Sequence, residues 1–509
     1  MASTQALYEE LLDSWRKAVL LGSVQNQLGW DEQTYLPPGG AAHRADQMSL
    51  LAGIVHQQLT TPRLGELISA LETADKPPGS NGLLDANLRE ARRRYDRLTK
   101  LPTRLVEELT RVTSLAQQNW VEARKKSNFE MFRPWLEKIV ALKREEAAAL
   151  GGGDGVGNGA PYDALLDDYE PGAKSTDVAK IFASLRAALV PLVRAIAGAT
   201  KRPDVSILTR YYPKAAQAEF AKAAAAAIGF SFQDGRLDES PHPFCSGMGP
   251  GDCRLTTRYD EHHFPGAFFG VLHEAGHGLY EQGLDPKAFG TPVGEAASLG
   301  IHESQSRMWE NFVGRSQAFW KHFYSQAQTR FSEALGSVPR EAFYAAVNDV
   351  HPSFIRVEAD EVTYNLHIMI RFELEQQLIG GQLKPADVPA AWNEQYTQSL
   401  GITPAKDAEG CLQDIHWSGG MLGYFPTYAL GNMYAAQLFQ TARKAVGDLD
   451  AQFAKGDFVP LRTWLKDNVH QLGRQFPPGK LVERITGQPL SHEPLVAHLK
   501  AKFEPLYGL

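Results

Sequence analysis

Cysteine is scarce in this chain of 509 residues: Cys245, Cys253 and Cys411 are the three present, and no two stand in a Cys-x-x-Cys spacing. Such thiols argue against a disulfide framework and a thiolate zinc site, and they suit a reducing compartment, so a cytoplasmic location is expected. Long apolar runs are missing too: no stretch of about eighteen uninterrupted apolar residues occurs, and no membrane span is expected. The opening MASTQALYEELLDSWRKAVLLGS carries acids where a secretory leader has a basic start and an apolar core. Positive charge is also short. With 52 lysines and arginines against 59 acids the net charge is −7, which gives no reason to expect a nucleic acid or membrane partner. The basic clusters at 92–94 and 124–126 read as solvated helix faces. Strand signals are few, the best being RLTTRY at 254–259.

Helical periodicity fills most of the remainder. Leu7, Leu11 and Trp15 step by four, with Leu12 and Val19 widening the stripe. Residues 85–126 read as two long helices, with Pro102 near the start of the second. Further helices are expected at 129–150, 175–197, 214–228, 341–350, 359–379, 430–446 and 462–472. The glycine-rich stretch at 151–160 reads as a flexible surface loop within one unit spanning 1–509. The fold class expected is mainly α, one large helical unit with a small β element.

Within AFFGVLHEAGHGLYEQG lies His273-Glu274-Ala275-Gly276-His277. Histidines four apart project from one face of a helix, so both imidazoles can reach one ion. Glu274 sits beside the first of them, where its carboxylate can take a proton from a metal-activated water. Phe268, Val271, Leu272, Ala275 and Leu279 recur at helical spacing, which places the motif on a buried helix. Catalytic zinc usually takes three protein ligands. Downstream, Glu303 lies in a second helical run whose stripe is Ala297, Ile301, Met308, Trp309 and Phe312. A carboxylate there needs a partner: a metal, the water outside, or Arg307 one turn on.

The chain also carries His242-Pro243-Phe244, Asp252-Cys253-Arg254-Leu255-Thr256, His302-Glu303-Ser304-Gln305, Ile355-Arg356-Val357-Glu358-Ala359-Asp360 and Gly410-Cys411-Leu412-Gln413-Asp414-Ile415-His416-Trp417. This ordered set resembles the M32 metallocarboxypeptidases, the carboxypeptidase Taq family. LGWDEQTYLPPGG and YDALLDDYEPG extend the resemblance over nearly the whole chain. It implies a helical fold with a deep substrate groove, walled by the N-terminal helices, and a homodimer. It implies release of single residues from free carboxyl ends of peptides, with broad side-chain tolerance. One zinc per chain, replaceable by cobalt, would be held by His273, His277 and Glu303, with Glu274 as general base and later acid.

Other motif residues have chemical readings. A guanidinium can grip a terminal carboxylate with two parallel hydrogen bonds, which suits Arg356 or Arg254. Arg356 can equally pair with Asp360 at i+4, and Arg254 with Asp252 can shape the strand. His242 can tie down a loop or touch substrate. His416 and Tyr424, or Tyr428, can donate to an oxyanion, or fill a core near a glycine-rich turn. Competing readings are an oligopeptidase cutting internal bonds and a non-catalytic peptide-binding protein with structural zinc.

Overall fold

The computed structural model describes residues 3–75, 82–151 and 160–509; the expected glycine loop falls almost wholly outside them. Helices dominate, joined by short turns, with one three-stranded sheet. Several expected helices match closely: Phe129–Ala149, Ser175–Gly198 and Lys214–Ile228, and the pair Leu83–Lys100 and Thr103–Lys126. The last of the expected set is shorter, Val459–Asn468, giving way to a 3-10 turn at His470–Gln475. Ser175–Gly198 is, by length and composition, apolar enough to cross a membrane. In the fold its Phe182, Leu185, Leu189 and Ile196 enter the core, and small residues such as Ala183 and Ala187 face outward.

The apolar interior falls into two clusters. The larger runs from the helices at 103–149 through the HEAGH helix to the C-terminal helix. The smaller belongs to the N-terminal helices: Leu11, Trp15, Leu64, Ile68, Leu71, Leu88 and Ala91. Polar contacts join the two. Asn26 of the first helix, Thr4–Thr34, donates to the Gly247 carbonyl (3.1 Å), and the Tyr35 hydroxyl bonds to Asp238 (2.6 Å).

The sheet has the order β1 (Gly235–Glu239), β3 (Asp252–Thr257), β2 (Cys245–Gly249). β3 pairs parallel with β1 and antiparallel with β2, with an irregularity between Gly247 and Gly249. Only β3 carries the β-prone residues that mark a strand in sequence, and it begins two residues earlier than expected. Leu255 of β3 packs over Gly278, laying the sheet against the HEAGH helix.

That helix, Phe264–Gly283, starts with Pro265 in its first turn and is buried along Phe268, Leu272, Ala275 and Leu279. It crosses the helix Leu299–Arg307, whose N-terminus is capped by the Ser298 hydroxyl. The crossing is close because Gly276 has no side chain: a Cβ there would lie 2.6 Å from the Gln305 carbonyl oxygen and the Ser306 Cα. A third helix, Pro426–Val446, closes over the same place, with Gly431 making room for the Glu303 side chain. Buried Glu170 braces this stack, accepting from the Gly300 amide (3.1 Å) and the Tyr434 hydroxyl (2.8 Å).

Gly276→Ala should therefore force two backbones apart. A loss of about 1–3 kcal/mol is expected from overpacking, read as a lowered Tm, together with weaker metal binding because Glu303 moves away from the histidines.

Candidate metal centre and active site

His273, His277 and Glu281 follow one another at four-residue steps on one face of the HEAGH helix. The Nε2 atoms of the two histidines point at one oxygen of Glu303, at 3.5 and 3.4 Å from its Oε2. Ligand atoms from His273, His277 and Glu303 all lie within 4.8 Å of one another. Two imidazoles and one carboxylate are a donor set of the kind that holds a catalytic divalent metal with one position left open. Burial and the neighbouring His302 pull the His277 pKa down to about 3, so its ring is neutral and has a lone pair to offer. The donor set fits a divalent cation.

The ligands are held from behind. His273 Nδ1 is 2.9 Å from Glu310 Oε2, so its ring is fixed by a carboxylate while Nε2 faces the cluster. Glu310 lies on the π-helical turn Met308–Gly314, where the wider winding shifts the side-chain phase. Arg307 reaches both acids, with Nε at 2.7 Å from Glu303 Oε1 and Nη1 at 3.3 Å from Glu310 Oε2. Glu303 thus divides its oxygens: one faces the histidines, the other takes Arg307. Burial raises the Glu303 pKa, but Arg307 and His273 more than reverse this, leaving it well below the usual carboxylate range.

Glu274 is 6 % exposed. Burial pushes its pKa up to about 7 with no ion present. A cation between the histidines acts in the opposite direction, favouring the carboxylate.

A second buried cluster adjoins the first. Asp414 takes Arg356 on Oδ1 (Nη2 at 2.8 Å) and Arg371 on Oδ2 (Nη2 at 2.6 Å). Arg356 also donates to the Tyr364 hydroxyl (3.0 Å), and the Tyr364 ring lies under Arg307, 4.2 Å from centroid to guanidinium. Tyr364 therefore links the arginine cluster to the candidate metal ligands. The alternative reading of Arg356, an ion pair with Asp360, is not formed. Residues 356–358 make one 3-10 turn and Ala359 is extended, so the i,i+4 geometry is absent. Asp360 instead accepts from the Val362 and Thr363 amides (both 2.9 Å) in the turn that precedes the helix Tyr364–Gly380, and that helix starts later than expected.

His416 and Tyr424 stand next to each other, ring centroids 5.3 Å apart, and Tyr428 completes the group, its hydroxyl 3.3 Å from His416 Nε2. Their loop is pinned by Glu375, which accepts from the Trp417 indole (2.8 Å), the Gly423 amide (3.0 Å) and the Tyr162 hydroxyl (2.6 Å). Gly423 is required there: its φ is +102° and a Cβ would collide with the Leu165 backbone.

The structure does not bring Arg254 or His242 into contact with these groups. Arg254 forms a two-bond pair with Asp252 (2.9 and 2.7 Å) and lies 4.4 Å over the Trp30 ring. His242 is exposed in the β1–β2 connection, its carbonyl accepting from the Ser240 hydroxyl (2.5 Å). Glu310, Glu281, Tyr364 and Arg371 were not anticipated. Spacing could have found one of them, since Glu281 continues the four-residue step of the histidines.

The family model described as carboxypeptidase Taq (M32) metallopeptidase matches residues 10–503. The chain belongs to this family and is a metal-dependent carboxypeptidase. Thermostable carboxypeptidase 1 of Thermus thermophilus is 47% identical over 99% of both chains. Carboxypeptidase 1 of Bacillus subtilis is 39% identical over 94% of both. Among solved structures, an M32 carboxypeptidase from Deinococcus radiodurans R1 superposes with a TM-score of 0.95 at 38% identity, covering 99% of this chain and all of that one.

Replacing His273, His277 or Glu303 by alanine should release the metal and abolish turnover, because each would provide one of three ligands. The large core does not depend on the ion, so the fold should survive, unlike that of a zinc finger. Chelator competition with circular dichroism checks this, and unchanged metal affinity in Glu303→Ala would remove it from the ligand set.

Proposed function

We propose that this enzyme removes single residues of many kinds from free carboxyl ends of peptides. Zinc, or cobalt in its place, is held by His273, His277 and Glu303, one ion per chain in a homodimer. The observation that supports this reading is the convergence of two imidazole nitrogens and one carboxylate oxygen beside buried Glu274. When bound, the ion supplies Lewis acidity toward water and the scissile carbonyl.

The chain's own residues do the rest. Glu274 as carboxylate takes a proton from water and then passes it to the leaving amine. Burial and Asp414's arginine partners leave His416 with a pKa of about 4, so near neutrality it is an uncharged donor. Burial raises the pKa of Tyr424 too, so its hydroxyl keeps the proton it would offer to the developing oxyanion. Arg356 receives the terminal carboxylate. Two arginines share a single aspartate, so the cluster holds one positive charge in excess in a site where water screens little. Mass spectrometry of a peptide mixture, with metal-depleted and then zinc- or cobalt-restored enzyme, tests the reading: a ladder shortened from the carboxyl end supports it, and internal cuts overturn it.

Glu274→Gln should keep its metal while kcat falls by about 10²–10⁴-fold or more. The base must be ionised, so kcat/KM of the unaltered enzyme should fall as pH drops through the Glu274 pKa, at or below about 7. Near-normal kcat in the metal-loaded variant would reject this role.

Arg356→Lys keeps charge but loses the planar fork. A charge-assisted bond is worth roughly 1.5–3 kcal/mol, so kcat/KM for free-acid peptides should drop about ten- to a hundredfold. Carboxyl-amidated peptides should lose much less. Equal losses for both would assign Arg356 to bracing Asp414 alone.

A further inference from the structure

His302 shares a motif with Glu303, yet nothing above gives it a task. Its Nδ1 lies 2.5 Å from His277 Nδ1, and its Nε2 lies 2.8 Å from Glu281 Oε1. The two imidazole planes are only 25° apart with centroids at 4.5 Å, the arrangement of two rings joined edge to edge by an in-plane N–H···N bond. One proton, and no more, fits between nitrogens at that distance.

We infer that His302 is a positioning residue for the metal, accepting the Nδ1 proton of His277 in a tautomer that Glu281 selects. The inference rests on His277 being a ligand. If His277 gives its Nε2 lone pair to the ion, its ring proton must sit on Nδ1. His302 then has to present a bare Nδ1, and its own proton has to be on Nε2. Glu281 makes that tautomer the stable one, because the opposite one would set an imidazole lone pair against a carboxylate. The order is Glu281, His302, His277, ion, with one donor and one acceptor at every link.

The two histidine ligands are thus supported differently. His273 leans directly on Glu310, whereas His277 reaches its carboxylate through a second ring. The far end of the relay is fixed by the sheet: a Cβ on Gly247 of β2 would lie 2.3 Å from Glu281 Oε2, so this glycine leaves the space that the carboxylate fills. The Tyr280 ring, 5.4 Å from the His302 ring, packs beside it.

The test uses the full-length enzyme and measures zinc affinity by chelator competition. His302→Leu and Glu281→Leu should each weaken zinc binding, by about 10–100-fold for the histidine, without a matching change in the circular dichroism spectrum. His302→Gln, whose amide oxygen can accept the hydrogen bond from His277 Nδ1–H, should recover part of the loss. In zinc-loaded enzyme labelled with ¹⁵N-histidine, NMR should show His302 protonated at Nε2 and bare at Nδ1. Zinc affinity within twofold of the unaltered enzyme in His302→Leu, or a proton on His302 Nδ1, overturns the inference. The NMR result decides alone if the leucine variants fail to fold. His277→Ala separates the two readings: retained zinc there means the ligand assignment has failed, whereas lost zinc with unchanged His302→Leu means that only the relay has.

Discussion

The buried carboxylate of Glu303 is the constraint around which the centre of this molecule is arranged. A charge in a nearly water-free place is costly unless each oxygen has a partner. Here one oxygen faces two imidazoles and the other takes Arg307. Every neighbouring element has a feature that lets this happen. Gly276 allows two helices to touch, Gly431 yields space to the side chain, and Glu170 holds the start of the helix that carries it. Arg307 in turn needs Glu310, and Glu310 orients His273, so the ion pair and the ligand set are one network. Such networks are costly to break at any single member.

The same network connects recognition with chemistry. Tyr364 bonds to Arg356 and stacks on Arg307, so the group proposed to meet the substrate's carboxylate is one side chain away from the group that steadies the Glu303 carboxylate. Asp414 and Glu375 extend this order into the loop with His416 and Tyr424. Positions that must agree to within fractions of an ångström are set by buried polar contacts on rigid helices.

How much of this was legible in the sequence depended on range. Helix Lys214–Ile228 was readable to the residue because an alanine-rich run after Pro213 has strong local preference and Gly229 ends it. The mainly helical class, and His273, His277 and Glu303 as a candidate set, followed from spacing and from the resemblance of the motifs. β1 and β2 were invisible: GRLDE and CSGMG have little intrinsic strand tendency and are extended because β3 pairs with them. The Arg356–Asp414 pair spans more than fifty residues, so no local pattern could announce it, and local spacing offered Asp360 instead. Glu310 was hidden for another reason, since a π turn moves it off the phase that an α-helical stripe implies.

The separate small core of the N-terminal helices has a consequence for how the molecule loosens. Because its apolar residues pack on one another in a cluster separate from the larger core, this segment is expected to open as a cooperative unit of its own. Amide hydrogens in the helices Pro62–Thr73 and Leu83–Lys100 would then exchange together and sooner than those flanking the HEAGH motif.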